Sequence, residues 1–109
     1  MSKTDVPQGT LDLMVLKALA LQPMHGYGIV QRLEQISGGT FQLNPGTVFP
    51  ALRRLDTSGF VDGEWVRTDQ NRRARIYRVT REGRRHLERQ MREWEQRTLA
   101  VRRVLETKA

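Results

Sequence analysis

Apolar positions crowd the first third of the chain and thin out towards its end. In TLDLMVLKALALQ (10–22), Leu11, Met14, Val15, Ala18, Leu19 and Leu21 recur at helical spacing, and Leu13, Leu16 and Ala20 fill most of the remaining circumference. Only Asp12 and Lys17 are charged. A helix apolar nearly all round is buried on more than one side. A chain of 109 residues has one modest core with which to do that, so this helix is a first pointer to a second subunit, with Leu11 and Met14 as contact residues. Thr10 is the predicted N-cap, and Asp12 in the first turn complements the helix dipole. Residues 1–9 read as a mobile arm, and Pro23 ends the helix.

HGYGIVQRLEQISGG (25–39) predicts the next helix, with Ile29, Leu33 and Ile36 at helical spacing and Ser37-Gly38-Gly39 as its stop. TFQL (40–43) reads as a short extended piece. NPGTVFPALRRLDTSGF (44–60) is a short third helix, opened by Pro45, striped by Val48, Leu52 and Leu55, and broken at Gly59. FVDGEWVRT (60–68) and ARIYRVT (74–80) alternate apolar and polar, although Val61, Trp65 and Arg67 give no clean face. The polar tip DQNRR (69–73) joins them into a β-hairpin. Thr80 then caps a long last helix. There Leu87, Met91, Trp94, Thr98, Val101 and Leu105 fall at steps of 4, 3, 4, 3 and 4, a heptad seam on an otherwise charged helix. Such a seam either packs back on its own domain or pairs with another subunit. So small a chain has little to cover it, and pairing is the expected outcome.

Three helices, a two-stranded hairpin and a long final helix predict a mainly α chain with a small β-hairpin (α+β). The layout is a winged helix-turn-helix over residues 1–80 followed by a dimerisation helix over 81–109. In that layout the third helix follows a turn and can enter a major groove, which is about 12 Å wide. The hairpin reaches alongside, towards backbone or minor groove.

Charge sharpens this reading. The formal net charge is +7, and residues 67–85 alone hold eight Arg against Asp69 and Glu82. Only Lys3, Lys17 and Lys108 among the basic residues are Lys. The planar guanidinium suits phosphates and base edges. An Arg cluster at a turn tip gains repulsion without packing, so Arg72, Arg73 and Arg75 are candidate phosphate contacts. Gly46 lets the backbone run close to DNA, the free amides of the helix start attract phosphate, and Thr47 can donate to a phosphate or base. Asn44 and Phe49 complete the helix-start set. Arg53 and Arg54 point about 100° apart, so one of them faces the groove and the other is a surface or ion-pair residue, with Asp56 the candidate partner. His25 and Tyr27 either touch phosphate or cap and pack the second helix.

Enzyme chemistry is not expected. There is no Cys, no Ser-His-acid grouping and no phosphate-cradling Gly loop, and Gly26-Tyr27-Gly28 lacks the preceding strand of a dinucleotide motif. Two His without Cys argue against a metal, and no cofactor is called for. No apolar run nears the roughly 20 residues of a membrane span, and the N-terminus has no apolar h-region. A cytoplasmic protein is the expectation.

GTLDLMVLKAL (9–19), PMHGYGIVQRLEQIS (23–37), NPGTVFPALRRLDTSGFVDGEW (44–65) and RIYRVTREGRRHL (75–87) together resemble the PadR family of bacterial transcriptional regulators. The resemblance implies a winged-helix domain with a single dimerising C-terminal helix, as in the family's small subfamily. It implies a homodimeric repressor on an inverted-repeat operator in double-stranded DNA. Some members release DNA on binding phenolic or hydrophobic compounds, in cavities lined by an aromatic on the last helix; Trp94 stands there in this chain, as a ligand contact or as a packing anchor. The family often has Tyr, whose hydroxyl contacts phosphate, where this chain has Phe49. Two other functions compete with the repressor: an effector-sensing module with DNA as its output, and a protein-interaction adaptor.

Overall fold

The computed structural model describes residues 5–109. In chain order it has α1 (Gln8–Leu21), β1 (Met24–His25), α2 (Gly26–Ser37), α3 (Pro45–Thr57), β2 (Val61–Arg67), β3 (Arg73–Val79) and α4 (Arg81–Glu106). The predicted arm falls partly outside the described residues. Its last two positions are helical, because α1 starts at Gln8 behind Pro7, whose carbonyl accepts from the Leu11 amide at 2.9 Å. Thr10 therefore lies inside the helix and is not its cap. Pro7 holds the N-cap position, with φ −59 and ψ 147, and supplies no side-chain cap.

α1 is the centre of the domain. Leu11, Val15, Leu16, Ala18 and Leu19 are buried against α2, α3 and α4. With Ile29 and Leu33 of α2, Val48, Ala51, Leu52 and Leu55 of α3, Val61 of β2 and Leu87 of α4 they form one core. Fully burying a Leu or Ile side chain contributes about 1.5–3 kcal/mol, and Leu16, Leu19, Ile29 and Leu52 are each buried to that degree.

Asp12 corrects a second expectation. It does not serve the α1 dipole but accepts two hydrogen bonds from Arg54 of α3, at 2.6 and 3.1 Å, across 42 residues of sequence. This hydrogen bond and the Asp12 charge raise the Arg54 pKa, against a lowering by burial. Arg54 thus clamps α3 to α1 and has turned away from any groove. Its predicted alternative partner, Asp56, pairs instead with Arg75 at 3.6 Å. Arg54→Ala is expected to cost about 1–2 kcal/mol, since it strands a partly buried carboxylate. Urea unfolding checks this, and an unchanged midpoint would reduce the pair to surface decoration.

The sheet has three strands in the order β1-β3-β2, all antiparallel, not the two of the predicted hairpin. The added strand is two residues long: Met24 pairs with Tyr77 and His25 with Ile76. It ties the start of α2 to the wing. On β2 and β3, Val61, Gly63, Trp65 and Arg67 face the same side as their partners Val79, Tyr77, Arg75 and Arg73. These positions do share a face; its burial fades from Val61 at the root to exposed Trp65 and Arg67 further out.

The root of the wing is locked to α4. The Thr80 hydroxyl caps α4 by accepting from the Gly83 amide at 3.0 Å and donates to the Gly59 carbonyl at 2.7 Å. The Gly83 Cα lies so near the Phe60 carbonyl that a Cβ would collide with it. Phe60 stacks on His86, with centroids 4.0 Å apart and planes within 10°. Burial first, then the Arg89 charge, lowers the His86 pKa from its ordinary 6.5, opposed by Glu93. The fold therefore favours the neutral ring. As pH falls below 6.5 the unfolded chain takes up a proton that the folded chain resists, and stability is lost. The thermal midpoint is expected to fall between about pH 7.5 and 5.5, and His86→Phe, which keeps the stack, to flatten that slope. Equal slopes would place the sensitivity elsewhere.

Beyond Leu87 no residue of α4 is fully buried in its own chain, and only Gln90 and Thr98 are half-buried. Twenty-six residues make about 39 Å of helix, which stretches the molecule to 62 Å. Met91, Trp94, Leu99, Val101, Val104 and Leu105 are all exposed along it. Leu11 and Leu87, placed at the subunit interface by sequence, are instead buried in the chain's own core at 4 % and 5 % exposure, so neither has surface to offer a partner. Met14 is half-buried and lines an apolar cleft of about 300 Å³ with Leu21, Leu33, Ile36 and Met91.

Candidate nucleic-acid interface

The start of α3 is built by its own sequence. The Asn44 side chain accepts from the Thr47 amide at 3.2 Å, and the Thr47 hydroxyl accepts from the Asn44 amide at 3.3 Å and donates to the Asn44 carbonyl at 2.9 Å. This reciprocal box satisfies end groups of the helix. It also corrects the part expected of Thr47 and Asn44: both side chains are engaged in capping. Pro45 occupies the first turn, where its missing amide costs nothing.

Val48, Ala51, Leu52 and Leu55 take the inner face of α3. That leaves Gly46, Pro50, Arg53 and Thr57 as an outward stripe at helical spacing, all exposed. Arg53 makes no ion pair among the described residues and points outward while Arg54 is held by Asp12. Thr57 and Pro50 did not figure among the sequence candidates, though their spacing from Arg53 would have shown them.

Beside this stripe stands the start of α2. The His25 Nδ1 accepts from the Gly28 amide at 3.0 Å and caps the helix. Phe49 lays its ring against Gly26, where a Cβ would collide with it, and meets the Tyr27 ring edge-on at 5.5 Å and 67°. Phe49 is thus a half-buried wall between α2 and α3. Tyr27 stays 62 % exposed.

The wing completes the surface. Its tip turns through Thr68 to Arg72: the Asn71 amide donates to the Thr68 carbonyl at 2.9 Å and the Thr68 amide to the Arg72 carbonyl at 2.7 Å. Asn71 has φ 60, a left-handed conformation Asn tolerates. Of the three arginines assigned to the tip, only Arg72 is in it. Arg73 opens β3 with its guanidinium 4.8 Å from the Trp65 ring centre. Arg75 lies deeper, 5.7 Å from Trp65 and 5.5 Å from Tyr77, across a glycine, Gly63, where any Cβ would strike it. Paired with Asp56, it supports the wing more than it offers charge. Arg78 pairs with Glu64 on the far face at 3.1 Å.

His25, Tyr27, Phe49, Arg72, Arg73 and Arg75 converge on one open cleft of about 540 Å³ between the wing and the α2 and α3 starts. Trp94 lies apart, 39 % exposed on α4, beside a shallow groove shared with Met91 and Thr98. No group of acidic, His or Cys side chains among the described residues could hold a metal. No helix there is long and apolar enough to cross a membrane.

Residues 15–89 match the family described as Transcriptional regulator PadR-like. Transcriptional regulator Rv3488 of Mycobacterium tuberculosis is 33 % identical over 72 residues, 66 % of this chain and 64 % of that protein. A PadR family transcriptional regulator of Eggerthella lenta has a crystal structure that superposes with a TM-score of 0.81 at 31 % identity, covering 93 % of this chain and 86 % of that one. The smu.1704 protein of Streptococcus mutans shares the fold over the whole chain and 97 % of its own, with a TM-score of 0.82 at 22 % identity.

Proposed function

The chain belongs to the PadR-like family of transcriptional regulators, and from that we propose that it is a cytoplasmic, homodimeric, operator-binding repressor. The observation that carries this reading is one surface. Phe49 of α3 and the wing arginines Arg72 and Arg73 line one cleft, and the outward stripe of the same helix, led by Gly46 and Arg53, is exposed. α3 enters the major groove by its first turns. The wing arginines neutralise backbone phosphates, with His25 and Tyr27 at the flank of the same face. Residues 81–109 pair two chains through Trp94, Val101 and Leu105, with Met91 and the apolar cleft at Met14 taking the partner's helix. The exposure of every one of these apolar side chains beyond Leu87 supports pairing over packing back.

A mobility-shift titration on DNA from the protein's own upstream region, with unrelated competitor at two salt concentrations, tests the reading. Binding that survives competitor supports it, and binding lost equally to any DNA leaves the adaptor function. The double substitution Val101→Asp and Leu105→Asp is expected to sediment as single chains and to bind a two-half-site operator about a hundredfold more weakly. Unchanged mass would place the interface elsewhere. A second reading, that the dimer also takes a hydrophobic effector, rests on Trp94 and the groove beside it.

A further inference from the structure

The last helix sorts its charges by side. At about 100° per residue, Arg81, Arg85, Arg89, Arg92 and Arg103 of α4 fall within one arc of roughly 80°, with Gln96 among them. Every Glu of the helix lies outside that arc, and the seam of Met91, Trp94 and Val101 takes the opposite side. These arginines are all exposed, and none is in an ion pair among the described residues, although Glu82 and Glu88 stand on neighbouring turns. The arrangement works against the helix itself. Arg81, Arg85 and Arg89 repel at i,i+4 spacing, and Arg81 sits at the positive end of the helix dipole. Neither the core nor α3 and the wing call for it. The stripe begins at the wing root, the length of β3 or about 20 Å from Arg73, and pairing through the seam leaves it in water.

The content of the arc says what would cover it. From Arg81 to Arg103 it runs about 33 Å, close to one turn of duplex DNA. Leu99 is its single apolar side chain. A protein interface is anchored by aromatic or Met side chains, and a single strand by rings on which bases stack; the arc has neither. A guanidinium matches phosphate, and a run of one sign matches a backbone that repeats its charge whatever its sequence.

We propose that the outer face of α4 is a second, sequence-independent surface for the backbone of duplex DNA, and that a protein seated through α3 and the wing holds a separate DNA segment there. The surface itself is independent of the proposed repressor reading; the joining of an operator to a second segment rests on that reading.

Two variants of the full chain test it. The stripe variant carries Arg85→Gln, Arg89→Gln and Arg92→Gln, all exposed positions where glutamine is a good helix former, and circular dichroism is expected to show its helix intact. The other carries Arg53→Gln, Arg72→Gln and Arg73→Gln and so disables α3 and the wing. Beads bearing duplex from the protein's own upstream region are loaded with protein and offered a labelled duplex of unrelated sequence at about 0.05 M salt. Wild type is expected to carry the label, and the stripe variant to stay on the beads while carrying at least tenfold less. By fluorescence anisotropy the second variant is expected to keep weak binding to the unrelated duplex, and adding the stripe substitutions to weaken that remainder tenfold or more. Equal carriage by the stripe variant would overturn the surface, since two winged domains would then span the duplexes. Complete loss of duplex binding in the second variant would overturn it too. Poly-glutamate captured in place of the duplex would assign the stripe to an acidic protein. Stripe-dependent binding in a chain that does not prefer the upstream region to unrelated DNA would uphold the surface and sink the repressor reading.

Discussion

Replacing Arg53, Arg72 and Arg73 together by glutamine is expected to weaken binding to every DNA sequence by two to three orders of magnitude near 0.1 M salt. Each phosphate contact contributes about 0.9 to the slope of log affinity against log salt, so three lost contacts flatten that slope by about 2.7. All three side chains are exposed and without an acidic partner among the described residues, and Arg73 alone of them also lies over the Trp65 ring. Arg75→Gln is expected to behave differently. It releases Asp56 and unsupports Trp65, so stability suffers more than the salt slope. Affinities measured across a salt series separate the two effects. A triple variant with an unaltered slope would mean that DNA meets another face.

Gly83→Ala carries the second large effect, and here two rules oppose each other. A helical glycine replaced by alanine normally gains up to about 1 kcal/mol. At Gly83 the new methyl would meet the backbone carbonyl of Phe60, which cannot swing away as a side chain end can, and the Val79 side chain lies behind it. Overpacking of this kind costs about 1–3 kcal/mol or more, and the rigid partner places this case at the upper end. A net loss of about 2 kcal/mol is expected, lowering the melting temperature by roughly 10 °C in a domain of this size. An unchanged or raised melting temperature would show that α4 slides freely on the wing root.

Much of this architecture could be read from spacing. The α3 stripe, the Thr80 cap and the α4 seam are local patterns, and local patterns survive in sequence. Pairings between distant positions do not. Asp12 sits where a helix-dipole role explains it fully, and nothing near it hints at Arg54, 42 residues away. The two residues of β1 are too few to show a period, so the tie between α2 and the wing was invisible. The same held for the cleft. Tyr27 and Phe49 read singly as candidate DNA contacts and Trp65 and Tyr77 as strand positions, and only the sheet register and the packing of α2 on α3 bring them together. Leu11 and Leu87 failed for a related reason: periodicity marks a side chain as buried but does not say against which chain.

The locked root of α4 bears on how the operator is measured out. Thr80, Gly83 and the Phe60–His86 stack leave no hinge between the winged domain and the helix through which two copies would join. In such a pair the distance and the angle between the two α3 helices are set by the protein alone. One base pair added between half-sites turns one of them by about 35° about the DNA axis. A rigid frame cannot follow that turn, so the bend or twist falls to the DNA, and operators for this protein should hold their spacer length more strictly than their spacer sequence.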